Sequence, residues 1–137
     1  MMKEFFKGKK VLITGHTGFK GSWLSQILLN WKADVSGISL NPQTEPNLFT
    51  ILQLDSKMNS NIIDIRDLET LNEIFNKIDP EIVIHMAAQP LVRESYKNPH
   101  YTYETNIMVT VNICECIRNS DNVKSFLNIT RYRVLDL

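Results

Sequence analysis

Cysteine is nearly missing from this chain, with Cys114 and Cys116 the only two. They fall two residues apart in what reads as a helix and so point to different faces, which argues against a mutual disulfide or a shared metal site. His16, His85 and His100 have no ligand spacing between them, and no metal is expected. A surplus of charge is also lacking. Fifteen basic side chains balance fifteen acidic ones, with no cationic row along a helix, so electrostatic capture of nucleic acid or of an anionic membrane has no support. No apolar run approaches the length of a membrane span. Met1–Lys10 carries scattered charges around a single Phe5-Phe6 pair, unlike a signal peptide, and the expected compartment is the cytoplasm.

Against these absences stands an ordinary globular composition, 43% hydrophobic and 22% charged. Its 137 residues suffice for one domain with a sizeable core, and not for two.

Glycine is scarce, with 5 in the chain, yet Gly15, Gly18 and Gly21 share one stretch. Lys10-Val11-Leu12-Ile13-Thr14 reads as a buried strand that gives way at Gly15 to a turn, and Ser22-Trp23-Leu24 begins a helical pattern. Strand, glycine turn and helix in that order form a dinucleotide-binding signature. One glycine allows the tight turn, one lets the backbone approach a pyrophosphate, and one lets the helix pack closely on the strand. The phosphate then rests on the helix N-terminus, where free N–H groups and the dipole favour an anion.

Along the helix, Trp23, Leu24, Ile27, Leu28 and Trp31 recur at helical spacing and are expected to face a sheet, both tryptophans in the core. Residues 34–40 read as a second strand. The dinucleotide pattern expects an acid at its end to accept the ribose hydroxyls, and the chain offers Asn41, which leaves NAD against NADP open. Residues 41–54 read as a long loop. A third strand over 60–63 ends at Asp64, where an open α/β sheet meets its ligand, and Asp67 caps a helix with Leu68, Leu71, Ile74, Phe75 and Ile78 inward.

A fourth strand over 81–86 runs into Ala87-Ala88-Gln89-Pro90, small residues against which a flat cofactor can lie. Residues 91–98 read as a loop, and Asn98-Pro99 opens the longest helix, reaching about Ser120. Asn106, Thr110, Cys114 and Ile117 form its expected inward row, in which Asn106 needs a buried hydrogen-bond partner. A fifth strand spans 124–130. Together these elements predict a Rossmann-type open parallel α/β sheet with helices on both faces, in strand order 3-2-1-4-5.

The G-x-x-G-x-x-G spacing resembles the extended short-chain dehydrogenase/reductase group. Gly15-His16-Thr17-Gly18-Phe19-Lys20-Gly21, Pro46-Asn47-Leu48-Phe49, Asp64-Ile65-Arg66-Asp67 and Ala87-Ala88-Gln89-Pro90-Leu91-Val92-Arg93 resemble, within it, the CDP-glucose 4,6-dehydratases. The likeness covers about residues 8–130. It implies that Gly15, Gly18, Phe19, Lys20 and Gly21 surround the NAD pyrophosphate, that Asp64 and Ile65 meet the adenine, and that Ala87, Ala88 and Gln89 line the nicotinamide side. Asn106 would help hold the active-site backbone.

In that family NAD takes hydride from C4 of CDP-glucose, water leaves across C5 and C6, and hydride returns to C6. The family's Tyr-x-x-x-Lys pair and its Ser/Thr-Asp-Lys segment after the fifth strand supply the acid and base groups. Neither is present: Arg131-Tyr132-Arg133 follows Asn128-Ile129-Thr130, and no tyrosine has a lysine four residues on. The expectation is therefore an NAD-binding domain over 1–137, truncated after about the fifth strand, without catalytic residues of its own and inactive alone. A frameshift or premature termination would account for the abrupt loss of likeness. An uncovered sheet edge and marginal stability follow, and pairing into a homodimer is implied by family analogy. The alternatives are a non-catalytic NAD-binding module and part of a sugar-nucleotide epimerase, the latter weakened by Pro46-Asn47-Leu48-Phe49.

Overall fold

The computed structural model describes residues 1–88 and 92–129. Five strands, β1 (Lys10–Thr14), β2 (Asp34–Ser39), β3 (Asn59–Ile62), β4 (Ile82–His85) and β5 (Ser125–Asn128), form one parallel sheet in the order β3-β2-β1-β4-β5. That is the expected Rossmann-type order. Its helices are α1 (Met2–Phe6), α2 (Phe19–Asn30), α3 (Leu48–Ile51), α4 (Leu68–Ile78), α5 (Val92–Lys97), α6 (Pro99–Tyr103) and α7 (Val109–Arg118). A π-helical segment, Glu104–Met108, joins α6 to α7.

Successive strand residues point to opposite faces, which divides the core in two. Val11, Ile13, Val35, Ile82 and Ile84 meet Leu28 of α2, with Phe6 and Trp31 packed alongside. Leu12, Ile38 and Val83 face the other way, against Leu71, Phe75 and Ile78 of α4 and Val109, Ile113 and Cys116 of α7. Both faces of the central strands β1, β2 and β4 are thus covered, as a parallel sheet requires. At the opposite end from the glycine turn, Glu81 ties three strand starts together. Its carboxylate accepts from Lys9 Nζ (2.9 Å), the Lys10 amide (3.2 Å) and Lys124 Nζ (3.5 Å).

Local chemistry sets the helix starts. Asp67 accepts from the Thr70 amide at 3.2 Å to cap α4, and Asn98 from the Tyr101 amide at 3.3 Å to cap α6, with Pro99 in its first turn. Four expectations need correction. The inner face of α2 is Gly21, Ser22, Ser25 and Leu28, while Trp23 and Ile27 are exposed, because small residues let the helix sit closer than an aromatic stripe would allow. The 41–54 stretch contains α3, which Asn47 caps by accepting from the Thr50 amide at 2.8 Å. The 91–98 stretch contains α5.

The fourth correction concerns α7. Its buried residues are Val109, Asn112, Ile113 and Cys116, whereas Cys114, Ile107 and Val111 are exposed. Apolar residues occur on nearly every face of this helix, so periodicity alone left its rotation ambiguous. The chosen face is the one on which Asn112 finds partners: its Nδ2 donates to the Ile65 and Arg66 carbonyls at 3.0 and 3.3 Å. Strand β5 is paired only to β4 among the described residues, and all four of its residues are exposed.

Candidate functional site

The candidate site lies where β1 ends, between β2 and β4, at the point where strand order reverses. Gly15 has φ 78°, a backbone that L side chains rarely adopt, and a Cβ there would stand 3.0 Å from the Ala87 amide nitrogen and Cα. Its own amide donates to the Ile38 carbonyl at 2.9 Å, so the turn is wedged between the two neighbouring strands. A Cβ on Gly21 would fall 2.1 Å from the Gly15 carbonyl oxygen, which shows how closely α2 approaches the turn. Gly18 is the N-cap of α2 in an extended conformation and supplies no side-chain cap. The first amides of this 12-residue helix therefore remain open to an anion. Gly18, Phe19 and Lys20 are exposed at this helix start, Phe19 to 71%.

Beneath the turn lies a layer of buried polar groups that the sequence did not single out: Thr14, His16, Thr17, Ser22 and Ser25. Ser22 Oγ donates to the His16 carbonyl at 3.0 Å, and Thr17 Oγ1 donates to the Leu40 carbonyl at 2.8 Å. His16 is fully buried. Its ring packs edge-on to Phe49 with centroids 5.3 Å apart, and its Nε2 pairs with Ser60 Oγ at 2.7 Å. Burial pushes its pKa down to about 4, so the ring is neutral near pH 7. The one sequence signal for this arrangement was Gly37, a glycine inside a strand, which marks a close approach.

Elsewhere, Asp64 follows β3 and accepts from the Arg66 amide at 2.9 Å and from Arg66 Nε at 2.9 Å. That guanidinium holds the carboxyl below the usual carboxylate range. Arg66 also reaches Glu104 at 3.6 Å and lies over the Tyr101 ring, 5.6 Å from its centroid, tying the β3 exit to α6. The Ile65 side chain is in the core. Ala87 is half-buried and Ala88 exposed just beyond β4, while Gln89 lies outside the described residues. Asn106 falls in the π-helical segment, half-buried, and Asn41 is exposed beyond β2.

The structure thus sets Gly21 and Ala87 each close against Gly15, with Gly18, Phe19 and Lys20 at the helix start beside the turn. Asp64 follows β3, two strands over from β1 across β2, at the same C-terminal end of the parallel strands. Among the described residues no three His, Cys, Asp or Glu side chains are grouped to hold a metal ion. No described helix is long and apolar enough to cross a membrane.

Fold and glycine turn define the chain as a Rossmann-type α/β protein with an open parallel sheet. It belongs to the GDP-mannose 4,6 dehydratase family, whose model matches residues 12–131. The chain is 50% identical over 134 residues to the CDP-glucose 4,6-dehydratase of Salmonella typhimurium, an alignment covering 98% of this chain and 37% of that protein. Among solved structures, an epimerase from Methanothermobacter thermautotrophicus superposes with a TM-score of 0.76 at 25% identity, over 92% of this chain and 36% of the other. The Thermus thermophilus UDP-glucose 4-epimerase, solved in complex with NAD, gives a TM-score of 0.70 at 28% identity, over 79% of this chain and 33% of the other. The chain spans about a third of the length of these relatives.

Proposed function

We propose that residues 1–137 are the NAD-binding part of a CDP-glucose 4,6-dehydratase, the enzyme class that makes CDP-4-keto-6-deoxyglucose from CDP-glucose. The observation that carries this reading is the glycine cradle. Gly15 and Gly21 each stand where a Cβ would strike backbone, and between them an uncapped helix start faces solvent, which fits a pyrophosphate. The likeness to the Salmonella typhimurium dehydratase, well above that to the epimerases, supports the dehydratase over the epimerase reading.

When bound, NAD supplies a reversible acceptor for hydride. The residues of this chain bind and orient it. The amides of Phe19, Lys20 and Gly21 meet the pyrophosphate, with the exposed Phe19 ring covering it. Asp64 and the Ile65 main chain meet the adenine; the Ile65 side chain is committed to the core. Ala87, Ala88 and Gln89 flank the nicotinamide, and Asn106 supports the backbone beyond them. No group in this chain takes the role of the Tyr-x-x-x-Lys pair, so turnover is not expected of it alone, and the sugar-nucleotide site belongs to sequence outside these residues. The setting that goes with this reading is the cytoplasm.

Calorimetric titration tests this. Saturable binding of NAD is expected for the wild type and is lost in Gly15→Val, with no dehydration of CDP-glucose by either. A folded wild-type chain that leaves NAD unbound would overturn the reading.

A further inference from the structure

A line of hydrogen bonds centred on the buried ring of His85 runs from the end of β1 through β4 to the π-helical segment, and of its members only Asn106 and Ala87 are among the residues assigned to the cofactor. Thr14 Oγ1 accepts from the Met86 amide at 3.1 Å and the Ala87 amide at 3.2 Å. The Met86 amide is shared with the Thr14 carbonyl, 3.2 Å away, so the proton between Thr14 Oγ1 and His85 Nδ1, 2.6 Å apart, is placed from the other side of the ring: Thr110 gives its own proton to the Asn106 carbonyl and can only accept from Nε2. Nδ1 is then the bare nitrogen. The neutral ring carries its proton on Nε2, which faces Thr110 Oγ1 at 3.1 Å. Thr110 in turn donates to the Asn106 carbonyl at 3.0 Å, back-bonding inside the wider π turn.

His85 is 2% exposed, which leaves its ring nitrogens little access to water as a substitute partner. We propose that His85, as the Nε2–H tautomer, is a positioning residue that locks the Met86–Ala87 backbone and the π turn at Asn106 into one rigid unit. Where the cofactor is concerned this rests on the NAD-binding reading above, since Ala87 and Asn106 are the residues assigned to its nicotinamide end. The hydrogen-bond line itself does not depend on that reading. A phenylalanine would fill the same space and hold neither end. Asparagine keeps an acceptor near the Nδ1 position, and glutamine keeps a donor near the Nε2 position.

The first test is the tautomer of His85 in the ¹⁵N-labelled chain at neutral pH, read from two-bond nitrogen–proton correlations. A bare Nδ1 with a protonated Nε2 is expected; the opposite tautomer, or an imidazolium, overturns the proposal. In the second test, amide spectra of three variants are compared. His85→Asn should disturb residues 104–110 and spare 86–87, His85→Gln the reverse, and His85→Phe both. NAD affinity should fall about tenfold in His85→Phe, the effect of leaving one buried polar group unpaired. Identical spectra for the asparagine and glutamine variants would overturn the proposal even if the phenylalanine variant failed to fold. A wild type with the expected tautomer that does not bind NAD leaves the lock standing and removes the functional reading.

Discussion

The ring of His16 occupies the space that a side chain on Gly37 would need: a Cβ there would come within 2.3 Å of His16 Cγ and 2.5 Å of its Nδ1. One glycine in the second strand thereby lets the turn residue after Gly15 reach over β2 to Ser60 on β3. Gly37→Ala should cost about 1–3 kcal/mol, the range for forcing extra volume into a packed site. The same substitution made in a His16→Ala background should cost less, because the obstructing ring is gone. Urea denaturation of the four proteins measures the difference, and equal costs in both backgrounds would show that the ring is not the obstruction.

The glycines of the turn should not behave alike. At Gly21 the nearest atom is the Gly15 carbonyl, 2.1 Å from the added Cβ, and backbone yields little; at Gly18 the same carbonyl stands 3.4 Å away, ordinary contact. Gly21→Ala should therefore lower the urea midpoint and abolish NAD binding together. Gly18→Ala should stay folded with a loss of about 1 kcal/mol, the usual range for a poorer N-cap. Comparable destabilisation by both would contradict the close approach of α2.

Asn112 makes a sharper stability prediction than any apolar residue of α7. Removing its amide leaves the Ile65 and Arg66 carbonyls without the donor they now share, which should cost about 1–3 kcal/mol in Asn112→Ala. Asn119 is exposed, and its side chain donates to the half-buried Glu115 at 3.2 Å. Asn119→Ala should change the melting free energy by about 0.5 kcal/mol or less.

Stability should fall in mild acid. Burial lowers both His16 and His85 from 6.5 to about 4 in the folded chain, while an unfolded chain protonates them below about 6.5. Between those values the unfolded state binds more protons, so stability is complete above about pH 6.5 and declines as pH falls toward 4. Each ring accounts for about 3 kcal/mol of that loss. Asp64, held low by Arg66, and Glu81, held low by Lys9, add losses as pH falls through the 3.8 and 4.5 at which their unfolded forms protonate. Urea midpoints measured at pH 7.5, 5.5 and 4.5 test this, and a flat profile would mean that the rings are not held neutral. His85→Phe should flatten part of the slope.

The glycine turn and the caps at Asp67 and Asn98 were legible in the sequence because each depends on near neighbours, and the strand order followed from the doubly wound pattern that such a turn signals. A β-branched run before Gly15, an aspartate three residues before Thr70, and a proline after Asn98 act within a few residues, and the structure repeats them. Family motifs carried the likeness further, to the Rossmann-type fold and its dehydratase relatives.

Only the tertiary structure decided which faces went inward. Along α2 the close approach of Gly21 to Gly15 excluded the tryptophan stripe, and along α7 the carbonyls after β3 selected Asn112. The hydrogen-bond line through Thr14, His85 and Thr110 joins residues 71 and 25 positions apart in sequence, a separation at which no local pattern marks a pair. Period and capping are local and can be read from the chain. The rotation of a helix on a sheet, and the direction of protons through a buried relay, depend on surfaces that meet only when the sheet has formed.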